Sequence, residues 1–179
     1  MPEELLDIYD KNQKPLNMAK TRSEIHAKGY WHAGVYVWIL NSKNQLLIQK
    51  RSEKKENHPN TWDVSVAGHI SAGSTALATA VREVKEEIGL DISASELQNL
   101  FSITESQVLK NGKYIDNEFH QIFLLRKDLE LKDLKLQQEE VVAVDWMPVE
   151  KLKELAAKDD PAFVPHQEQY KKLAEFLLK

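Results

Sequence analysis

A chain of 179 residues that is 42% hydrophobic and 29% charged, with six glycines and six prolines, is long enough to bury a substantial core and suits one globular domain spanning 1–179. Its formal charge of −4 excludes a broad basic field, so neither a nucleic-acid polymer nor an anionic membrane is an expected partner. The lack of cysteine excludes disulfides, thiolate metal sites and cysteine nucleophiles together. The opening residues MPEELLDIYDKNQK are acidic, without the basic flank and apolar run of a signal peptide. No stretch nears the roughly 20 apolar residues needed to span a bilayer, so a cytoplasmic location is expected.

In chain order, Leu5 to Tyr9 and Pro15 to Ala19 flank the turn-like DKNQK and predict a small N-terminal hairpin within residues 1–20. AGVYVWIL and QLLIQKR flank Asn41 to Asn44, a second hairpin rich in β-branched and aromatic residues. RSEKKENHPNTW is polar and interrupted by Pro59, which predicts an exposed loop, and TWDVSVAG predicts a short strand ending at Gly68. A helix is expected from about Thr75 to Ile88, with Ser74 or Thr75 as N-cap and Gly89 as its stop. LQNLFSITE and EFHQIFLLRK are strands joined through Asn111-Gly112, a strong tight-turn signal. VVAVDWM is a further strand, VEKLKELAAK a helix after Pro148, and residues 165–179 an amphipathic C-terminal helix. This order predicts an α+β fold with a mixed sheet flanked by helices.

The central helix carries the chemistry. At 100° per residue Leu77, Val81, Val84 and Ile88 share one stripe, and Glu83, Glu86 and Glu87 are expected on the opposite arc. Like charges three or four apart repel by about 0.2 to 0.5 kcal/mol per pair on an open helix, so the cluster costs stability unless a cation neutralises it. Oxygen-only ligands suit Mg²⁺ first and Mn²⁺ second. A solvated surface face is the alternative for REVKEE by itself. The glycine bend at Gly68 leaves backbone carbonyls facing the acids, and Arg82 is placed to orient one of them through a charge-assisted bond.

Gly68, Arg82, Glu83, Val84, Glu86, Glu87, Gly89 and Leu90 together resemble the Nudix box, with its spacing kept throughout. One position departs: the early glutamate of the box is Ser74 here. A serine can serve there as a helix cap, and reduced or altered activity is one consequence of the change. The resemblance implies an α/β/α sandwich, divalent metal (Mg²⁺ or Mn²⁺) on Glu83, Glu86 and Glu87, and hydrolysis of a diphosphate bond in a small organic or nucleoside diphosphate. A metal offsets phosphate charge and makes water easier to deprotonate. Glu86 is the expected base and Glu140 the alternative; a homodimer fits what is common among relatives.

Beyond the box the chain resembles the isopentenyl-diphosphate isomerase branch, through LLDIYDKNQKPL, QLLIQKRSEKK and TWDVSVAGH. In those isomerases three histidines and two acids hold a metal, which the resemblance carries onto His26, His32, His69, Asp116 and Glu118. The interval from His26 to His32 is one residue shorter than in the isomerase pattern. The isomerase cysteine before Gly-His is Ala67 here, and alanine carries no proton. The expectation is therefore a hydrolase on an isomerase-like frame, with isopentenyl-diphosphate isomerisation and a binding protein that kept the fold but lost catalysis as the alternatives. Lys50 and Arg51 are candidates to grip phosphate and Trp62 to stack on a ring, against surface and core roles respectively. Trp31, Trp38 and Trp146 are assigned to packing.

Overall fold

The computed structural model describes residues 3–179. An N-terminal hairpin, β1 (Leu5–Tyr9) and β2 (Pro15–Thr21), leads into helix α1 (Arg22–Lys28), which the sequence reading left unassigned. Its signals are nonetheless present. Thr21 caps it by accepting from the Glu24 amide, and Gly29 stops it in the left-handed region at φ 70°.

β3 (Trp31–Leu40) and β4 (Gln45–Arg51) form the expected second hairpin, but they pair only at Leu40 and Leu46 and then diverge. β3 takes β8 (Tyr114–Arg126) alongside it in parallel, while β4 pairs antiparallel with β9 (Val141–Pro148). The stretch expected as one strand at 61–68 is two: β5 (Trp62–Asp63) joins β4, and β6 (Val66–His69) joins β3. Val64 and Ser65 cross between the two diverging strands. Ser65 secures that crossing, donating to the Leu47 carbonyl at 2.5 Å and accepting from the Ile39 amide at 2.9 Å.

β7 (Leu97–Leu109) and β8 form a hairpin longer than the sequence indicated. Its turn holds Asn111 at φ 55° and Gly112 at φ 86°, the left-handed pair that Asn-Gly favours.

β3 shows why the sheet is covered on both faces. Its odd residues Val35, Val37 and Ile39 pack with Ala80, Val84 and Ile88 of α2 (Ala76–Ile88). Its even residues Tyr36, Trp38 and Leu40 pack with Leu152 and Leu155 of α3 (Lys151–Ala157) and Tyr170 and Leu173 of α4 (Gln167–Leu177). The period of two along a continuously apolar strand thus feeds two cores, giving a mixed sheet between helical layers. Trp38 is fully buried and donates its indole N–H to Gln169 Oε1 at 2.6 Å, and Trp31 stacks on Phe119 at 4.7 Å. No helix among the described residues is long and apolar enough to cross a membrane.

Candidate active site

α2 starts at the cap Thr75, whose side chain accepts from the Ala78 amide; Ser74 instead sits 3.3 Å from the Thr79 hydroxyl. The buried face of the helix is rotated from the expected stripe. Leu77 is 39% exposed, whereas Glu87 is 4% exposed and lies beside Ala80, Val84 and Ile88. The three acids are therefore graded rather than gathered on an outer face. Glu87 is buried, Glu83 nearly so, and Glu86 is half exposed.

Glu87 reaches β6 and β4, where its Oε2 accepts from the Ala67 amide at 3.3 Å and from Gln49 Nε2 at 3.2 Å. Burial pushes its carboxyl up to about 8, against the charge of Lys55, with Glu83 adding to the rise. Burial likewise raises Glu83 to about 7, against Arg82 and with Glu86 adding to it. Arg82 binds Glu83 at 2.8 Å and Glu86 at 2.7 Å, and a further N–H of the same guanidinium reaches the His69 carbonyl at 3.5 Å. Gly68 has no room for a side chain, since a Cβ there would overlap the Glu83 carboxyl.

These acids line a cavity of about 260 Å³. Gly68 and His69 of β6, Asp116 and Glu118 of β8, and Glu140 before β9 meet them there. Glu140 is held by Lys55 from the polar loop after β4. Arg51 also lines the cavity, but its guanidinium is already used: it binds Asp63 at 2.8 Å and the carbonyls of His58 and Asn57 at 3.1 and 3.0 Å. Lys50 and Trp62 are not brought to the cavity. They face each other across paired strands, the Lys50 ammonium 5.8 Å from the Trp62 ring, and Trp62 packs on the core shared with α4. Alternation along β4 sends Lys50 to the side away from its neighbours Gln49 and Arg51.

The second cluster is built on β3, β6, β8 and α1. His26, His32 and His69 bring ring nitrogens within 4.8 Å of one another, and a ring nitrogen of His32 lies within the same mutual distance of carboxylate oxygens of Asp116 and Glu118. His32 Nε2 and His69 Nε2 each lie 3.2 Å from Glu118 Oε1, and His26 Nε2 lies 3.3 Å from Asp116 Oδ1. His26 Nε2, His32 Nε2 and Asp116 Oδ1 are buried without an aligned hydrogen bond, so these atoms converge on a shared space rather than satisfying one another. The opposite ring nitrogens of His26 and His32 are held at 2.8 and 3.2 Å by the carbonyls of Arg22 and Tyr30, which orients both rings. Both donor sets fit a cation: oxygen-only on α2, imidazole with carboxylate on β8.

The sequence reading missed an acid–imidazole chain running from this cluster along the cavity wall. Glu118 Oε2 lies 3.3 Å from His120 Nε2, and His120 Nδ1 3.2 Å from Glu105 Oε2. Glu105 Oε1 lies 2.9 Å from His166 Nδ1, and His166 Nε2 3.1 Å from Asp63 Oδ1. Burial works against charge on both histidines, yet the flanking carboxylates win and raise His120 to about 10 and His166 to about 9. His120 was findable, since it continues the alternation of Asp116 and Glu118 along β8. His166, immediately before α4, has no local signal.

A family profile described as the NUDIX domain matches residues 30–167. Nudix hydrolase 3 of Arabidopsis thaliana is 39% identical over 169 residues, 93% of this chain, although the chain spans only 22% of that protein. Isopentenyl-diphosphate Delta-isomerase 2 of Photorhabdus laumondii is 30% identical over 153 residues, covering 86% of this chain and 82% of that one. The crystal structure of DR0079 from Deinococcus radiodurans superposes with a TM-score of 0.70 over 95% of this chain and 99% of that one, at 23% identity, which shows the shared fold. With the box residues on α2, the mixed sheet between helices and these similarities in hand, the chain belongs to the Nudix hydrolase family and resembles its isopentenyl-diphosphate isomerase-like branch.

Proposed function

We propose that the cavity binds Mg²⁺ or Mn²⁺ on Glu83, Glu86 and Glu87 and hydrolyses a diphosphate bond in a small organic or nucleoside diphosphate. The observation that carries this reading is the pair of buried carboxylates, Glu83 and Glu87, raised to about 7 and about 8 while facing one cavity. Carboxyls so placed hold their charge at neutral pH when a cation sits beside them. When bound, the cation would offset phosphate charge and activate water for attack on phosphorus.

The chain's own groups supply the rest. Arg82 holds Glu83 and Glu86 in position. Glu86 lines the cavity, and Arg82 takes one of its oxygens, so the other is available to accept a proton from water. Glu140 is the alternative base, with its charge balanced by Lys55. Arg22, which lines the cavity without an ion pair among the described residues, offers positive charge to the substrate phosphates in the place expected for Lys50.

The histidine–carboxylate cluster favours a second reading, isomerisation of isopentenyl diphosphate. Against it, Ala67 stands opposite Tyr36 on the paired strands and offers no proton carrier there. The test is phosphate release from a panel of diphosphates with Mg²⁺, run beside Glu87→Gln and beside conversion of isopentenyl to dimethylallyl diphosphate. Equal release by both proteins would refute the role given to Glu87, and clear isomerisation would favour the second reading.

A further inference from the structure

We propose that His120 is a positioning residue for a cation held by the histidine–carboxylate cluster: it anchors the far oxygen of Glu118, and Glu105, His166 and Asp63 anchor His120 in turn. The proposal concerns the cluster on α1, β3, β6 and β8, not the acids of α2, and so stands apart from the hydrolysis of a diphosphate.

The even residues of β8 share one face. Along that row Asp116 and Glu118 enter the cluster, His120 follows, and Ile122 is already in the core. Glu118 divides its carboxylate between two neighbourhoods: Oε1 lies 3.2 Å from both His32 Nε2 and His69 Nε2, whereas Oε2 lies 3.3 Å from His120 Nε2. A carboxylate held by one oxygen keeps the other aimed at the cation, and a loose one loses that aim by turning about its terminal bond.

The His120 ring is fixed on its faces and at both nitrogens. Gly34 is its register partner on the parallel strand β3, and a Cβ added there would lie 2.9 Å from His120 Nε2, too close for a side chain. The bare glycine thus leaves room for the ring, and Tyr36, on the same face of β3, stacks on it with centroids 4.0 Å and planes 14° apart. His120 Nδ1 faces Glu105 Oε2 at 3.2 Å, a charge contact and not an aligned hydrogen bond. Glu105 is held by hydrogen bonds of its own, accepting from the Tyr36 hydroxyl at 3.2 Å and meeting His166 Nδ1 at 2.9 Å, while His166 Nε2 meets Asp63 Oδ1 at 3.1 Å. Glu118, His120, His166 and Asp63 are all buried, so each finds its polar partner in the next group and not in water.

The test is Zn²⁺ binding to the full chain, titrated by calorimetry in excess Mg²⁺ so that the oxygen-only site on α2 is already filled, with no cysteine to compete. His32→Ala removes a ligand and is expected to abolish the binding. His120→Asn places an amide near the Nδ1 position, out of reach of Glu118, and is expected to weaken Zn²⁺ by about 10- to 100-fold. His120→Gln places an amide N–H near the Nε2 position and is expected to recover most of that loss. Glu105→Gln, which weakens the hold on His120, is expected to lower the affinity several-fold and carries the test if His120→Asn does not fold by circular dichroism. No Zn²⁺ binding by the unaltered chain, binding unmoved by His32→Ala, or affinity unchanged in His120→Asn and Glu105→Gln would overturn the proposal. Equal losses in the two His120 variants would overturn it as well, since a purely structural histidine gives that result. Zn²⁺ affinity is read without substrate and phosphate release with Mg²⁺ alone, so this proposal and the hydrolase reading fail separately.

Discussion

The α-carbon of Gly68 and the carboxyl of Glu83 sit so close that no side chain fits between them. β6 and α2 are docked through that contact, with Val66 and Val84 buried in the same core. Gly68→Ala is therefore expected to push Glu83 out of the cavity while the fold persists. Activity should fall about 100-fold or more, since a shift near 1 Å in a site group costs that much. Phosphate release at saturating Mg²⁺, read beside the melting temperature, separates site displacement from unfolding.

Arg82 spans Glu83 and Glu86 and is itself more than a third exposed. Replacing it with alanine leaves two acids without their orienting partner, and its effect belongs on metal binding rather than on stability. Mg²⁺ half-saturation is expected to rise by about 10- to 100-fold. An unchanged Mg²⁺ titration would show that Arg82 does not organise the acids.

His166 lies buried between Asp63 and Glu105, and its pKa is raised from the ordinary 6.5 to about 9: burial opposes the charge, but the Glu105 and Asp63 carboxylates outweigh it. A raised histidine binds more protons folded than unfolded. Its stabilisation is complete below pH 6.5 and is lost as pH rises through 9. The shift corresponds to on the order of 3 kcal/mol. Urea unfolding of His166→Asn should show a smaller loss of stability between pH 6.5 and 9 than the unaltered chain. Parallel pH curves for the two proteins would mean that the charge on His166 does not support the fold.

Thr75, not Ser74, caps α2. Thr75→Ala should cost about 1 kcal/mol and Ser74→Ala distinctly less, by chemical denaturation. Ser74→Glu restores the acid of the Nudix box, and comparing its phosphate release with that of the unaltered chain measures what the serine costs.

Much of this molecule was legible in one dimension because the relevant forces are local. Runs rich in β-branched and aromatic residues marked β3 and β4, Asn111-Gly112 marked the hairpin turn, and Gly89 marked the end of α2. The spacing from Gly68 through Arg82 to Glu87 also brought the acidic site into view, because a helix fixes which side chains neighbour one another within a turn. Even there the burial of Glu87 was misread: the helix is rolled so that this acid faces Ala67 and Gln49, and only packing against the sheet sets that roll.

Tertiary structure alone decided the rest. Arg51 and Lys50 are adjacent in sequence, yet strand alternation puts one on the cavity, spent on Asp63, and the other on Trp62. Asp63, Glu105 and His166 lie on three separate elements that meet only when α4 closes over the sheet. A helix or strand dictates its own neighbours through its period, whereas contacts between distant segments follow from how buried faces fill space together, which no local pattern encodes.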